Sequence, residues 1–139
     1  MIVARPGPWR DALQAMLIEI PRIEMIHLAS DAASGMRAAV ALCPDLVVLD
    51  TDQPGGWEWT VAHKLKAACP HARSLVLTNE FPDPEHPGTV PVDAVLLKGC
   101  SATVLFEALE SLLPEQRRDP QRENEKAPQI EEVMRPKHN

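Results

Sequence analysis

The sequence predicts an open α/β domain: a parallel sheet with helices on both faces. Short aliphatic runs alternate with segments of helical periodicity along residues 1–113, the pattern of repeated strand–helix–strand units. Leu46, Val47, Val48 and Leu49 form a continuous aliphatic run between Asp45 and Asp50, which reads as a strand buried on both faces. Polar side chains (Arg5, Asp50, Asp52, Thr78 and Lys98) fall at or just past the ends of these runs. In open α/β sheets the carboxyl ends of the strands are where ligands bind. An aspartate at a strand end also serves simply to cap the following turn, so Asp50 alone does not define a site.

Ile2 to Ala4 is the first strand, and Arg5-Pro6-Gly7-Pro8 breaks it. Trp9, Leu13, Met16, Leu17 and Ile20 recur at helical spacing, giving an amphipathic helix that Pro21 closes. Ile23 to Leu28 reads as a second strand of ambiguous register. Ser30 or Asp31 caps a helix through Met36, Ala39, Val40 and Leu42, which Pro44 stops. The central aliphatic run follows and leads into a turn marked by Pro54, Gly55 and Gly56.

A third helix is expected over Trp57 to Ala68, with Trp59, Val61, Leu65 and Ala68 as packing positions and Pro70 beyond its end. Ser74 to Thr78 is a fourth strand. Between Asn79 and Val92 stand Pro82, Pro84, Pro87 and Pro91. Each proline lacks an N–H and clashes with a preceding helical turn, so this stretch is expected to be an irregular loop with at most one short turn. Ala94 to Leu97 is a fifth strand. A last helix starts at Ser101, carries Val104, Leu105, Ala108, Leu109 and Leu112 on one face, and ends at Pro114.

The chain of 139 residues fits one domain, here 1–113, with 114–139 as a charged tail. Pro120, Pro128 and Pro136 and the scarcity of apolar residues make that tail an expected disordered segment, apart from a possible helical turn near Ile130 to Met134. Of the 20 acidic and 14 basic residues, six of each lie in the tail, so residues 1–113 hold 14 and 8 and carry the whole net charge of −6. An acidic domain without a basic stripe is a poor direct binder of nucleic acid. No run approaches the roughly 18 apolar residues of a membrane span, and the apolar start lacks the basic region of a signal peptide. Cys43, Cys69 and Cys100 are odd in number and match no zinc spacing. They are therefore expected as free thiols in a reducing cytoplasm.

Val47-Val48-Leu49-Asp50 with Pro54-Gly55, then Leu75-Val76-Leu77-Thr78, then Leu96-Leu97-Lys98-Gly99 resemble the receiver domain of two-component response regulators. The likeness is greatest to receivers that precede a helix-turn-helix output domain, and it covers residues 1 to about 113. It implies a flavodoxin-like, doubly wound, five-stranded parallel sheet of order 2-1-3-4-5. It also implies that Asp50 occupies the phospho-acceptor position, Thr78 that of the switch hydroxyl and Lys98 that of the lysine paired with the acceptor. Asp52 occupies the position whose backbone carbonyl ligates Mg²⁺.

Three departures accompany the resemblance. The acidic pair that holds Mg²⁺ after the first strand is replaced by Arg5 and Pro6, and no acidic residue precedes Asp11. Magnesium requires oxygen ligands, usually with carboxylates among them, and a guanidinium repels it. The switch aromatic, three residues before the lysine, is replaced by Val95. The fourth helix of the family falls in the proline-rich stretch and is expected to be degraded. Two placements of Arg5 are open: a charge-assisted bond to Asp50 shared with Lys98, or an exposed side chain with Asp50 satisfied by Lys98.

The expected function is that of an atypical receiver, or pseudo-receiver. It acts in signal transduction or transcriptional regulation through protein–protein contacts, without Mg²⁺-dependent phosphorylation. Expected partners are proteins, a kinase or a regulator among them, with a homodimer as a further option, and neither nucleic acid nor membrane is contacted directly. No cofactor is expected. The alternative is a stand-alone response regulator phosphorylated on Asp50 by a histidine kinase, with Mg²⁺ held by Asp50 and Asp52 at most. A small hydrolase or redox enzyme of the same fold lacks a nucleophile–base pair and a cofactor motif, so no enzyme activity is expected. The five histidines share no ligand spacing. Of Trp9, Trp57 and Trp59, at least one is expected in the core. Cys100 lies near a helix N-terminus.

Overall fold

The computed structural model describes residues 1–50, 57–80 and 92–114, with the backbone alone for residues 57–59. Five strands form one sheet of order β2-β1-β3-β4-β5, and every pairing is parallel. The strands are β1 (Ile2–Val3), β2 (Leu28–Ala29), β3 (Leu46–Asp50), β4 (Arg73–Thr78) and β5 (Ala94–Leu97). The helices among the described residues are α1 (Pro8–Ile18), α2 (Ala32–Leu42), α3 (Trp57–Ala68) and α4 (Ala102–Leu112). This is the flavodoxin-like order. The helix expected to be degraded after the fourth strand, with Pro82, Pro84, Pro87 and Pro91, lies outside the described residues. So does the tail beyond Pro114.

Alternation along the strands divides the core into two layers. Ile2, Leu46, Val48, Leu75 and Leu77 face one side and meet Leu13 and Leu17 of α1 and Leu105 and Leu109 of α4. Val3, Val47, Leu49 and Val76 face the other side and meet Ala39 of α2 and Val61, Ala62 and Leu65 of α3. β3 therefore contributes to both layers, and its four aliphatic residues are buried. Burial of each such side chain contributes about 1.5–3 kcal/mol, as an upper estimate. That makes β3 the main anchor of the sheet.

Local signals fix the helices. Asp31 is the N-cap of α2: its carboxylate accepts the Ser34 backbone N–H at 2.7 Å, and the Ser34 hydroxyl accepts the Asp31 N–H at 3.4 Å. This reciprocal box satisfies donors that a helix start otherwise leaves unpaired, and the bond from Ser34 lowers the Asp31 carboxyl pKa. Ser101 caps α4 by accepting the Val104 N–H at 3.2 Å. Gly35 lets α2 lie close on β1, since a Cβ there would stand 2.9 Å from a Val3 methyl.

Several expectations are corrected. The second strand is Leu28–Ala29 and not Ile23 to Leu28. It pairs only where β1 runs alongside it, and β1 itself has two residues. Trp9, Val40, Leu42 and Val104 are exposed despite their helical spacing. Within α2 the small residues Gly35 and Ala39 face the sheet, which turns the larger neighbours outward. Ala68 is exposed, and Ala62 and Cys69 pack in its stead. The expectation of three free thiols also fails: Cys43 and Cys69 form a disulfide, with Cα atoms 5.6 Å apart. The ends of α2 and α3 converge on the same sheet face, and that brings together two cysteines separated by 26 positions. Only Cys100 is free. Among the described residues no helix is long and apolar enough to cross a membrane.

The lower corner of β4 and β5 is fastened by Asp93. Its side chain is 15% exposed, and it accepts the Ser74 backbone N–H at 2.8 Å and an Arg73 N–H at 3.2 Å. Lys66 of α3 adds an ion pair at 3.7 Å. Burial raises the Asp93 pKa, but the Ser74 N–H and the two cations outweigh it, and the net shift is downward. A depressed carboxylate pKa contributes stability that is present above the unfolded value, about 3.9, and lost as pH falls through the folded value. Asp93→Asn is expected to cost about 1–2 kcal/mol at neutral pH. It should also remove part of the stability loss seen on acidification below about pH 4. Urea midpoints for both proteins across that range measure this. Parallel pH profiles would show that Asp93 is not the titrating tie.

Candidate functional site

In a parallel sheet all carboxyl ends point to one edge, and the register decides which residues meet there. Val3 stands beside Leu49, Asp50 beside Leu77, and Thr78 beside Leu97. Asp50, Thr78 and Lys98 thus lie at the same edge, at the ends of three adjacent strands. The Lys98 backbone N–H donates to the Thr78 carbonyl at 2.9 Å, which holds the start of the β5 turn against β4. From there the Lys98 ammonium reaches across the end of β4 and contacts Asp50 Oδ1 at 2.5 Å.

Both side chains of this pair are largely withdrawn from water, Lys98 at 15% and Asp50 at 10% exposure. A charge pair with so little solvent around it is held much more firmly than a surface pair. Thr78 is fully buried. Its hydroxyl donates to the Glu80 carbonyl at 3.0 Å and accepts the Glu80 N–H at 3.3 Å. It therefore folds the chain back at the end of β4, next to the pair.

Arg5 and Pro6 follow β1 and are both exposed. Among the described residues the ion pairs are Lys98–Asp50, Arg73–Asp93 and Lys66–Asp93. Arg5 belongs to none of them. Of its two open placements the exposed one is found, with Lys98 as the cation on Asp50. The turn through Pro6 and Gly7 leads the chain outward into α1, which has Pro8 at its first turn. Val95 is half-buried, pairs with Val76 and packs in the α2–α3 layer. Asp52 and the Pro54-Gly55-Gly56 turn lie outside the described residues, as do the side chains of Trp57 and Trp59.

The receiver resemblance implies Mg²⁺ beside Asp50, and the donor set can be tested for it. Magnesium takes about six oxygen ligands in near-octahedral geometry. Among the described residues no three His, Cys, Asp or Glu side chains gather where they could hold a metal ion. Asp50 Oδ1 already contacts an ammonium, and the position after β1 carries a guanidinium. The described residues do not fit a magnesium site.

The spacing of short motifs pointed to Asp50, Thr78 and Lys98, and the sheet brings them together. Asp93 was not singled out by that reasoning. Its signal was an aspartate directly before a strand, which is indistinguishable from an ordinary turn residue. The disulfide was missed for want of any sequence spacing that reports helix convergence.

Lys98→Ala is expected to leave the Asp50 carboxylate withdrawn from water without its ammonium. Losing one partner of a buried pair costs about 3–5 kcal/mol, and the slight exposure here reduces that to about 2–4 kcal/mol. Asp50→Asn should cost less, because the long lysine can carry its charge out to water. Chemical denaturation of the two variants checks the order. Equal and small losses would show that the pair does not organise this edge.

No protein-family model matches the chain, and no curated protein matches it. Solved structures do. The signal receiver domain of a signal transduction histidine kinase from Syntrophus aciditrophicus aligns with a TM-score of 0.66 at 20% identity, over 84% of this chain and 90% of that one. The isolated REC domain of RcsB from Salmonella enterica serovar Typhimurium, in the presence of phosphomimetic BeF3-, gives a TM-score of 0.62 at 20% identity, over 80% and 85%. A DNA-binding response regulator of the LuxR family from Staphylococcus aureus gives 0.55 at 23% identity, over 80% and 95%. At these identities the likeness is one of fold, and the fold is that of response-regulator receiver domains.

Proposed function

We propose that this domain is an atypical receiver: a signalling module that works through protein–protein contacts and does not depend on Mg²⁺-assisted phosphorylation of Asp50. One observation carries the reading. The strand end that supplies magnesium-binding acids in receivers carries exposed Arg5 and Pro6 in this chain. Phosphoryl transfer depends mainly on positioning and on neutralising charge, with the metal central to both. The Lys98 ammonium supplies positive charge to Asp50 but no coordination site for a metal. The domain then rests in one state, held by its own charges, and its output passes through a protein partner, a kinase or regulator, or through a second copy. On this reading it has no cofactor and no catalytic activity of its own.

A second reading is favoured by the geometry of the same edge. Asp50, Thr78 and Lys98 end three adjacent strands, the arrangement that the receiver resemblance assigns to a phospho-acceptor and its two responders. A stand-alone phospho-receiver would use all three, with Asp52 supplying a further carboxylate.

Intact mass after incubation with a small phosphodonor and Mg²⁺ separates the two, alongside tryptophan fluorescence in a Mg²⁺ titration with and without beryllofluoride. The expected result is no mass gain and no saturable fluorescence change. A phosphoryl mass increment that disappears in Asp50→Ala would overturn the proposal in favour of the phospho-switch.

A further inference from the structure

The Cys43–Cys69 bridge joins two unlike surroundings. Cys43 is the C-cap of α2, exposed to solvent, and the only non-glycine residue in the left-handed region among those described, with φ 41° and ψ 66°. Side chains rarely adopt this conformation without a constraint that holds them there. Cys69 directly follows α3 and is 5% exposed, packed in the α2–α3 layer with Ala39, Leu65 and Ala72. The bridge therefore joins an exposed residue to a buried one, which makes Cys43 the side that a reductant reaches first and Cys69 the leaving group. Cys100 packs against the opposite layer, with the α1 and α4 residues, so it is not placed to exchange with either.

The open form has a place prepared for it. The Cys69 sulfur lies 3.6 Å from the Ala39 carbonyl oxygen, at a distance and angle where a thiol S–H donates. The same carbonyl accepts the Cys43 backbone N–H at 2.8 Å. If the bridge opens, a buried thiol gains an acceptor and α2 keeps its terminal bond. A small, half-apolar thiol suits a buried site, so reduction leaves no unsatisfied polar group in the core.

We propose that Cys43 and Cys69 form a reversible thiol–disulfide couple whose redox partner is a dithiol. A thiolate of the dithiol attacks the exposed Cys43 sulfur. The protein S–S bond breaks, a mixed disulfide forms on Cys43, and Cys69 leaves as a thiolate that takes a proton from solvent. The second thiol of the partner loses its proton and attacks the partner sulfur of the mixed disulfide, releasing Cys43 as a thiolate that is protonated in turn. Two electrons and two protons pass to the bridge, and the dithiol ends as a cyclic disulfide. The reverse sequence closes the bridge. The couple acts on the joint between α2 and α3, and α3 is the helix that takes the chain away from the Asp50 turn. Redox state thus sets how firmly that helix is tied, independently of any phosphorylation.

The redox exchange is run on the full chain without denaturant. Protein exposed to oxidised or to reduced dithiothreitol is then alkylated with excess iodoacetamide in urea, so that buried thiols also react, and weighed intact. One adduct, on Cys100, is expected after oxidation and three after reduction, and the change should reverse on re-oxidation. Loss of the cross-link releases loop entropy to the unfolded chain, and the melting temperature should fall by roughly 10 °C on reduction. In Cys43→Ser that redox-dependent shift should vanish while the variant still folds, since position 43 is exposed. Three adducts after oxidation would overturn the proposal. So would a bridge that resists dithiothreitol until the protein is denatured, or a redox-dependent shift that survives in Cys43→Ser.

Discussion

Strand β3 is confined in every direction. β1 and β4 hold its two edges, and helices cover its two faces through Leu46 and Val48 on one side and Val47 and Leu49 on the other. Side chains alternate along a strand, so a slip of one position would exchange the two faces and misfit both layers. The register of β3 is therefore set by packing on both sides at once. Because its neighbours are parallel and paired to it residue by residue, fixing β3 also fixes where β4 and, through β4, β5 end. Asp50, Thr78 and Lys98 come to one edge for that reason, although 28 and 20 positions separate them in sequence.

At that edge electrostatics takes over from packing. A carboxylate with little access to water loses hydration and is stable as an ion only beside compensating charge or hydrogen bonds. Lys98 supplies the charge, and its reach across β4 depends on the turn that Thr78 and the Lys98 backbone anchor. Arg5 stands exposed after β1, at the same edge of the sheet. A fold of this kind hosts many functions, so the functional reading rests on the residues at this edge and not on the architecture.

The opposite edge of the sheet carries the fastenings. Cys43 precedes the entry to β3, Cys69 the entry to β4, and Asp93 the entry to β5. The three strands that deliver Asp50, Thr78 and Lys98 are each tied at the far end, by a disulfide or by a carboxylate that holds Ser74, Arg73 and Lys66. The strands are thus fastened at one edge of the sheet and carry their polar groups at the other. The Cys43–Cys69 tie differs from the Asp93 tie in kind, since it is a covalent bond and the Asp93 tie is one of charge and hydrogen bonds.

What the amino-acid sequence determined by itself was the periodic part of the molecule. The aliphatic runs of β3, β4 and β5, the bounds of α3, and the Ser101 start of α4 could be read directly, because strand and helix periods are local properties of the chain. The short motifs around Asp50, Thr78 and Lys98 were legible for the same reason. Tertiary structure decided the rest. Whether Arg5 or Lys98 meets Asp50 depends on the direction of a turn and on reach across a neighbouring strand. That Val40 and Leu42 face water depends on how closely α2 sits on the sheet, as Gly35 against Val3 shows, and the exposure of Trp9 and Val104 was likewise decided by the packing of α1 and α4. The Cys43–Cys69 bridge exists because two helix ends converge over one face, a distance in space that no spacing along the chain encodes.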